Sequence, residues 1–119
     1  MYCIHLQQLR FFSFHGLYPA EATLGNEFEV NVTIRVGEMV TTNAADQPPV
    51  DYSRAFQIIN ARMKKTTPLL ETLATDIAGE LLQSFPPAES ISISIYKLHP
   101  PIPGCAGKVG VEFDIVRDK

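Results

Sequence analysis

The sequence predicts an α+β domain, in which a four-stranded antiparallel sheet carries two helices on one face. Apolar residues alternate with a period of two near both ends of the chain, whereas its middle carries them at helical spacing. The resulting order is β-β-α-α-β-β. Consecutive strands can then pair as hairpins, and both helices cross on the same side of the sheet. A length of 119 residues fits one domain over residues 1–119.

The first half of the chain predicts two strands joined by a turn. Residues Tyr2–His15 are rich in aromatic and branched side chains, but their apolar phase changes once, which predicts a bulge near Gln7–Gln8. Residues Leu17–Leu24 are predicted to form a loop or a short helical turn. Strict alternation over Phe28–Val36 predicts the second strand.

The middle of the chain predicts a crossing loop at Val40–Val50 and then two helices. Either Asp51 or Ser53 can cap the first helix, and Thr67 can cap the second with Pro68 at its first position. The apolar residues of the first helix are Ala55, Phe56, Ile59 and Met63. Those of the second are Leu70, Leu73, Ala74, Ile77, Leu81 and Phe85.

The last hairpin contains the strongest candidate for a reactive group. Isoleucines alternate over Ile91–Ile95, and Lys97 continues their inward phase. The proline-rich loop Pro100–Gly104 follows, and the strand Lys108–Val116 returns. Because a charge beside the core is costly, we interpret Lys97 as reactive. The alternative is a lysine whose ammonium reaches solvent from the strand end.

Glu71 is the second candidate, because it lies in the first turn of the second predicted helix. The helix dipole favours an anion there, and a carboxylate can accept two hydrogen bonds from a planar amidine-like group. The alternative is a surface glutamate that only compensates the dipole. Taken alone, Glu21 reads as a solvated loop acid and Tyr52 as a partly buried packing residue.

Composition and motifs argue against a nucleic-acid-binding protein, a membrane protein and a metalloprotein. The net charge of −3 does not indicate a nucleic-acid partner, and the absence of a long apolar run or a signal-peptide layout does not indicate a membrane protein. Cys3 and Cys105 lack CxxC spacing, so we expect free thiols in a reducing cytoplasm. The three histidines form no local pair, and we expect neither a metal nor another cofactor.

A sheet covered on one face has a second face and two edges to protect. Phe12 and Phe14 lie opposite in phase to Phe11, so both faces of the first strand carry large apolar groups. An isolated subunit would expose them. Edge-to-edge closure into a ring of identical subunits removes this exposure, so we expect a homo-oligomer.

Five blocks of the sequence resemble the dihydroneopterin aldolase family of folate biosynthesis. They are RFFSFHGLYPAEATLGNEFEV (Arg10–Val30), VDYS (Val50–Ser53), PLLETLA (Pro68–Ala74), KLHPPIPG (Lys97–Gly104) and VGVEF (Val109–Phe113). The chain departs from the family pattern at Thr41–Pro49, where Asp46 alone stands in place of a paired acidic stretch. The resemblance implies a T-fold, or tunnelling fold, assembled as a tetramer or an octamer with sites between subunits.

The resemblance also implies roles for individual residues. Glu71 and the backbone at Leu70 would bind the pterin substrate, together with Val50 and Tyr52 of the neighbouring subunit. The catalytic residues would be Lys97 as the acid/base group, with Glu21 near it, and Tyr52. The reaction would be retro-aldol cleavage of 7,8-dihydroneopterin without a cofactor, with epimerisation of the side chain as a second activity.

Two alternative functions remain beside the aldolase activity that the resemblance implies. One is a related enzyme, either a dihydroneopterin triphosphate epimerase or a zinc-dependent synthase of the 6-pyruvoyl-tetrahydropterin type. The triphosphate would need added cations, for which Arg54 and Lys108 are the candidates, and zinc would need a histidine pair. The other is a non-catalytic pterin-binding module. That module predicts the loss of Lys97, Glu71 or Tyr52, and all three are present.

Overall fold

The computed structural model describes residues 1–37 and 48–118. Within them, one antiparallel sheet has the strand order β1-β2-β3-β4. Its strands are β1 (Tyr2–Ser13), β2 (Asn26–Val36), β3 (Ala88–Lys97) and β4 (Val109–Val116). The helices are the short α1 (Pro19–Leu24) and the two main helices α2 (Tyr52–Met63) and α3 (Leu70–Ser84). The predicted α+β class and element order are confirmed, and most of the predicted Val40–Val50 crossing loop and of Thr41–Pro49 lies outside the described residues.

The core lies between the sheet and the two main helices. It uses the even-numbered apolar residues of β2, the isoleucines of β3 and one face of α3. The following side chains are fully buried: Phe28, Val30, Ile34, Ile59, Leu73, Ile77, Leu81, Ile91 and Ile95. Full burial of such a side chain contributes roughly 1.5–3 kcal/mol, so the two apolar periodicities fix which faces meet.

The predicted bulge in β1 is confirmed. Pairing of β1 with β2 shifts between Leu6 and Leu9, and Gln8 between them has a φ of 57°. The Gln8 N–H donates to Asn31 Oδ1 at 2.8 Å, which satisfies a backbone group that has left the ladder. The bulge absorbs the extra residue, so the apolar side chains before and after it face the core on the same side of the sheet.

The two main helices begin differently. Asp51 caps α2, since its Oδ1 accepts hydrogen bonds from the N–H groups of Ser53 at 2.9 Å and Arg54 at 3.4 Å. The prediction that Thr67 caps the second helix is wrong. Helix α3 begins at Leu70. Its N-cap residue is Leu69, whose side chain makes no capping hydrogen bond.

The hydroxyl of Thr67 is engaged elsewhere, which explains the difference. It donates to the Lys65 carbonyl at 2.9 Å and accepts from Arg62 Nη1 at 2.8 Å. A proline disfavours the helical conformation in the residue before it, so Pro68 opposes a helix that includes Thr67, and α3 starts beyond both residues.

The face of the sheet away from α2 and α3 is polar at its centre. Glu29 is buried there and accepts hydrogen bonds from Lys108 at 3.0 Å and Arg10 at 3.4 Å. The hydrogen bond from the Lys108 ammonium is the largest of the causes that lower the pKa of the Glu29 carboxyl group. Phe12 and Phe14 are 65% and 39% exposed, as the phase argument predicts. In the described chain, β1 and β4 are the edge strands.

Candidate active site

A cavity of about 500 Å³ lies where β3 ends and where α3 and β4 begin. Four of the predicted site residues line it, namely Glu21, Leu70, Glu71 and Lys97. The proline-rich loop adds Pro100, Pro101 and Ile102 to its wall. The chain therefore brings Glu21 and Lys97 together in one cavity, although they lie 76 positions apart in sequence.

Lys97 and Glu21 form an ion pair inside this cavity. Lys97 occupies the inward phase of β3, as predicted, and its Nζ donates a hydrogen bond to Glu21 Oε2. The two side chains are only 14% and 8% exposed. The reading of Glu21 alone as a solvated loop acid is thus wrong, because the partner lysine compensates its burial. The other oxygen of Glu21 accepts from the Tyr18 N–H at 3.2 Å, which fixes the carboxylate at the start of α1.

Gly16 makes room for this carboxylate. A Cβ atom at Gly16 would lie 2.4 Å from Glu21 Cδ, and the φ of 153° is unfavourable for other residues. A side chain here would push Glu21 away from Lys97. The glycine after His15 is therefore part of the site, although it carries no functional group.

Glu71 lies in the first turn of α3, as predicted, and is exposed towards the cavity. Because Leu69 provides no side-chain cap, the first amides of α3 keep their hydrogen-bonding capacity for other partners. Carboxylate and free amides at one helix end can together match a planar group that both donates and accepts.

Val50 and Tyr52 do not line the cavity. Val50 is 1% exposed and belongs to the core, whereas Tyr52 is 67% exposed at the start of α2. Tyr52 is therefore not the partly buried packing residue that its position alone indicated. The roles that the resemblance gives to both residues stay predictions.

Two hydrogen bonds join the end of β1 to the segment before α3. The Thr67 N–H donates to His15 Nδ1 at 3.1 Å, and the Gly16 N–H donates to the Thr67 carbonyl at 3.0 Å. His15 is 1% exposed, and this burial is the main cause that lowers its pKa from 6.5 to about 4. The sequence predicted no positioning role for His15, and the histidine–glycine pair close to the end of the first strand was the available signal.

The proline-rich loop is held at its start by Asn26. Asn26 Nδ2 donates to the His99 carbonyl at 2.7 Å, and the His99 N–H donates to Asn26 Oδ1 at 3.2 Å. The Leu98 N–H donates to the Glu27 carbonyl at 2.9 Å, which extends the ladder between β2 and β3 by one bond. Sequence reasoning missed Asn26, because no local pattern links it to a residue 73 positions away.

The histidines do not share a site. His5 Nδ1 lies 2.8 Å from Thr33 Oγ1 on the sheet, while His15 and His99 have the separate contacts given above. Over residues 1–37 and 48–118, no group of three His, Cys, Asp or Glu side chains is placed to hold a metal ion. In the same part of the chain, no helix is long and apolar enough to span a membrane.

Known proteins of one family match this chain. The family model described as FolB, dihydroneopterin aldolase, matches residues 4–114. A dihydroneopterin aldolase of Streptococcus pyogenes serotype M18 is 33% identical over 114 residues, which are 93% of this chain and 95% of the relative.

Solved structures show the same fold. The E. coli dihydroneopterin aldolase in complex with neopterin has a TM-score of 0.81 at 19% identity, covering 97% of this chain and 99% of its own. The Burkholderia thailendensis dihydroneopterin aldolase bound to guanine has a TM-score of 0.77 at 24% identity, with 98% and 92% covered. The sequence match spans nearly the whole chain, and the fold agrees with the T-fold that the resemblance implied. The chain therefore belongs to the dihydroneopterin aldolase family, which makes it an enzyme of the lyase class.

Proposed function

We propose that the protein cleaves 7,8-dihydroneopterin into 6-hydroxymethyl-7,8-dihydropterin and glycolaldehyde by a metal- and Schiff-base-independent retro-aldol reaction. The observation that carries this proposal is one cavity that holds Lys97, Glu21 and Glu71 in a chain of this family. Its volume of about 500 Å³ suits a single small ligand. The E. coli structure was solved with neopterin, which is the oxidised form of the proposed substrate and shares its amino-pyrimidinone edge.

Glu71 is proposed to bind the amino-pyrimidinone edge of the pterin. Its carboxylate would accept two hydrogen bonds from that edge, and the backbone at Leu70 would add a third contact. The position of Glu71 in the first turn of α3, exposed to the cavity, supports this role. These contacts exist before and after the reaction, so they contribute mainly to binding.

The chemical step needs a sink for the electron pair of the broken bond. A base removes the proton from the hydroxyl on the second side-chain carbon, and the bond between the first and second carbons breaks. Its electron pair moves to the first carbon and onwards to the ring imine, which is protonated to give a neutral enamine. A proton then returns to the first carbon while the ring nitrogen gives up the proton that it had gained, which restores the ring imine and completes the product. Because the substrate ring supplies the sink, neither a lysine imine nor a metal is required.

Lys97 is proposed to carry the proton, directly or through a water molecule. The partly buried ion pair with Glu21 supports this role, because it fixes the lysine nitrogen at the cavity wall. Tyr52 of the neighbouring subunit would deliver the final proton to carbon. Re-addition of glycolaldehyde to the opposite face of the enamine would epimerise the side chain.

The site is proposed to lie between subunits of a tetramer or an octamer. The exposed Phe12 and the two edge strands support assembly, since an isolated subunit leaves them uncovered. The position of Tyr52 outside the cavity supports completion of the site by a neighbour. Two free cysteines fit a reducing cytoplasm, where we place the enzyme.

The test is incubation of the purified protein with 7,8-dihydroneopterin in the presence of a chelator, followed by chromatography of both products. We expect glycolaldehyde and hydroxymethyl-dihydropterin in equal amounts, and no increase in protein mass after borohydride treatment with substrate present. A borohydride-stable lysine adduct would contradict the electron-sink argument. Loss of activity on chelation, restored by a divalent metal, would contradict metal independence.

Two variants separate the proposed roles. Glu71→Gln removes the charge of the ring anchor, and the dissociation constant for neopterin should rise about tenfold or more. Lys97→Met should lower kcat by on the order of a hundredfold while neopterin still binds. Glu80→Gln, an exposed position on the same helix, is the matched control and should change neither value. If both site variants lost binding equally, the two residues would form one recognition unit.

A further inference from the structure

The proposed ring anchor and the proposed proton carrier stand on different parts of the fold. Glu71 belongs to α3, whereas the Lys97–Glu21 pair joins β3 to α1. Catalysis requires that these groups keep a fixed separation, because a shift of about 1 Å in a reacting group can cost about a hundredfold in rate. A structural link between the two parts would set that separation.

The contact of His15 and Gly16 with Thr67 is such a link. Thr67 stands directly before Pro68, which lines the cavity and leads into α3. Gly16 lies directly under the Glu21 carboxylate, as the 2.4 Å approach to its Cβ position shows. The hydrogen bonds from Thr67 to His15 and from Gly16 to Thr67 therefore connect the start of α3 with the ion pair.

The chemistry of His15 also points to this connection. Its Nδ1 accepts a backbone N–H, so the neutral ring carries its proton on Nε2. The Met63 backbone acts on the ring and raises its pKa, but Nε2 makes no hydrogen bond of ordinary geometry with the described residues. A buried N–H whose hydrogen bond is this poorly formed is unfavourable, and a phenylalanine would fill the same space without it. The ring packs edge-on against Phe28 with centroids 5.2 Å apart, which fixes its orientation. The well-formed contact that a phenylalanine would lose is the hydrogen bond from the Thr67 N–H, at 3.1 Å.

We infer that His15 is a positioning residue, whose Nδ1 holds the start of α3 at the separation from the Lys97–Glu21 pair that the reaction requires. This inference rests on the proposed function. His15 does not line the cavity, so its effect on the substrate passes through Thr67 on one side and Gly16 on the other.

Two substitutions separate the acceptor from the ring. His15→Phe keeps the ring volume and loses the acceptor, whereas His15→Asn places a carboxamide oxygen near the Nδ1 position and loses the ring. For His15→Phe we expect kcat for 7,8-dihydroneopterin to fall about tenfold or more. The dissociation constant for neopterin should change by less than about threefold, because Glu71 and Leu70 remain together on α3. His15→Asn should recover kcat to within about threefold of the wild type, although lost packing lowers its melting temperature.

The outcomes distinguish this inference from the proposed function. If the wild-type protein does not cleave 7,8-dihydroneopterin, the proposed function fails and the inference fails with it. If the wild type is active and His15→Phe retains its kcat, or if folded His15→Asn loses as much kcat as His15→Phe, the inference alone is overturned. Should His15→Phe not fold, His15→Gln replaces it, since its carboxamide reaches the Nε2 position and leaves the Thr67 N–H without its acceptor.

Discussion

His15 is a histidine that folding requires to be neutral. Burial is the largest cause that lowers the pKa of His15 to about 4. The Met63 backbone raises this pKa in part, whereas the positive charges of Arg62 and Lys97 lower it further. The unfolded chain takes up a proton near the ordinary value of 6.5, whereas the folded chain does so only near 4. Acidification through this window therefore favours unfolding, because the unfolded state binds more protons.

The free energy of unfolding should fall as the pH is lowered from 6.5 towards 4, by up to about 3 kcal/mol from His15. Urea unfolding at several pH values should show this slope in the wild type and not in His15→Phe. Glu29 has a lowered pKa, so the stability that it contributes is lost only below its ordinary value of 4.5, and Glu29→Gln should leave the slope between pH 5 and 6.5 unchanged. An equal slope in His15→Phe would assign the effect to another group.

At the scale of single residues, the positions of the candidate reactive side chains could be predicted from the sequence better than the burial and the contacts of the residues around them. The phase of Lys97 could be counted from the isoleucines before it, and the first-turn position of Glu71 followed from the apolar stripe. The burial of Glu21 could not be predicted, because it depends on an ion pair between residues 76 positions apart. Thr67 looked like a cap, yet its hydroxyl is used by Arg62 and Lys65, which no local pattern reveals.

At the scale of elements, the loop after β3 depends on one side chain of β2. Prolines at 100, 101 and 103 leave this loop few backbone donors, so the two bonds between Asn26 and His99 carry much of its attachment. Because Pro100, Pro101 and Ile102 form a wall of the cavity, loosening the loop should disturb the site more than the fold.

Asn26→Ala should lower kcat/KM for 7,8-dihydroneopterin about tenfold, with less than about 1 kcal/mol lost in stability. Asn31→Ala on the same strand is the matched control. It removes the 2.8 Å bond at the bulge and should cost about 1 kcal/mol of stability with kcat/KM unchanged. Steady-state kinetics and urea unfolding on both variants check this, and equal losses of kcat/KM would show that the Asn26 contact has no special relation to the site.

Most elements could be predicted because their periodicity is strong. Alternation over β2 and β3 and the apolar stripe of α3 predicted the antiparallel sheet, its buried face and the order of the elements along the chain, whereas the pairing of β2 with β3 is seen in the structure alone. Element boundaries were less accurate: β1 ends at Ser13 before His15, and α3 starts at Leu70, three residues after the predicted cap. In both places the chain makes contacts with a distant segment, and these contacts override local preference.

At the scale of the whole molecule, subunit mixing tests whether a neighbour completes each site. Lys97→Ala and Tyr52→Phe proteins should each have low activity, and mixing them under conditions that exchange subunits should restore part of it. With random equal mixing, about a quarter of the interfaces would pair an intact Lys97 with an intact Tyr52. Exchange is verified by mass labelling of one variant. Proven exchange without recovery would mean that each chain completes its own site.

The extra residue in β1 has a consequence for engineering. Leu6 pairs with Val32 and Leu9 with Val30, so removing Gln8 would leave a regular strand with every side chain still on its present face. Such a deletion would also relieve the left-handed backbone of Gln8. Yet the deletion would convert the bulged edge strand β1 into a regular one, and a regular exposed edge strand can pair non-specifically with strands of other chains. A sequence idealised by local rules alone would thus gain regularity here and become more prone to aggregate.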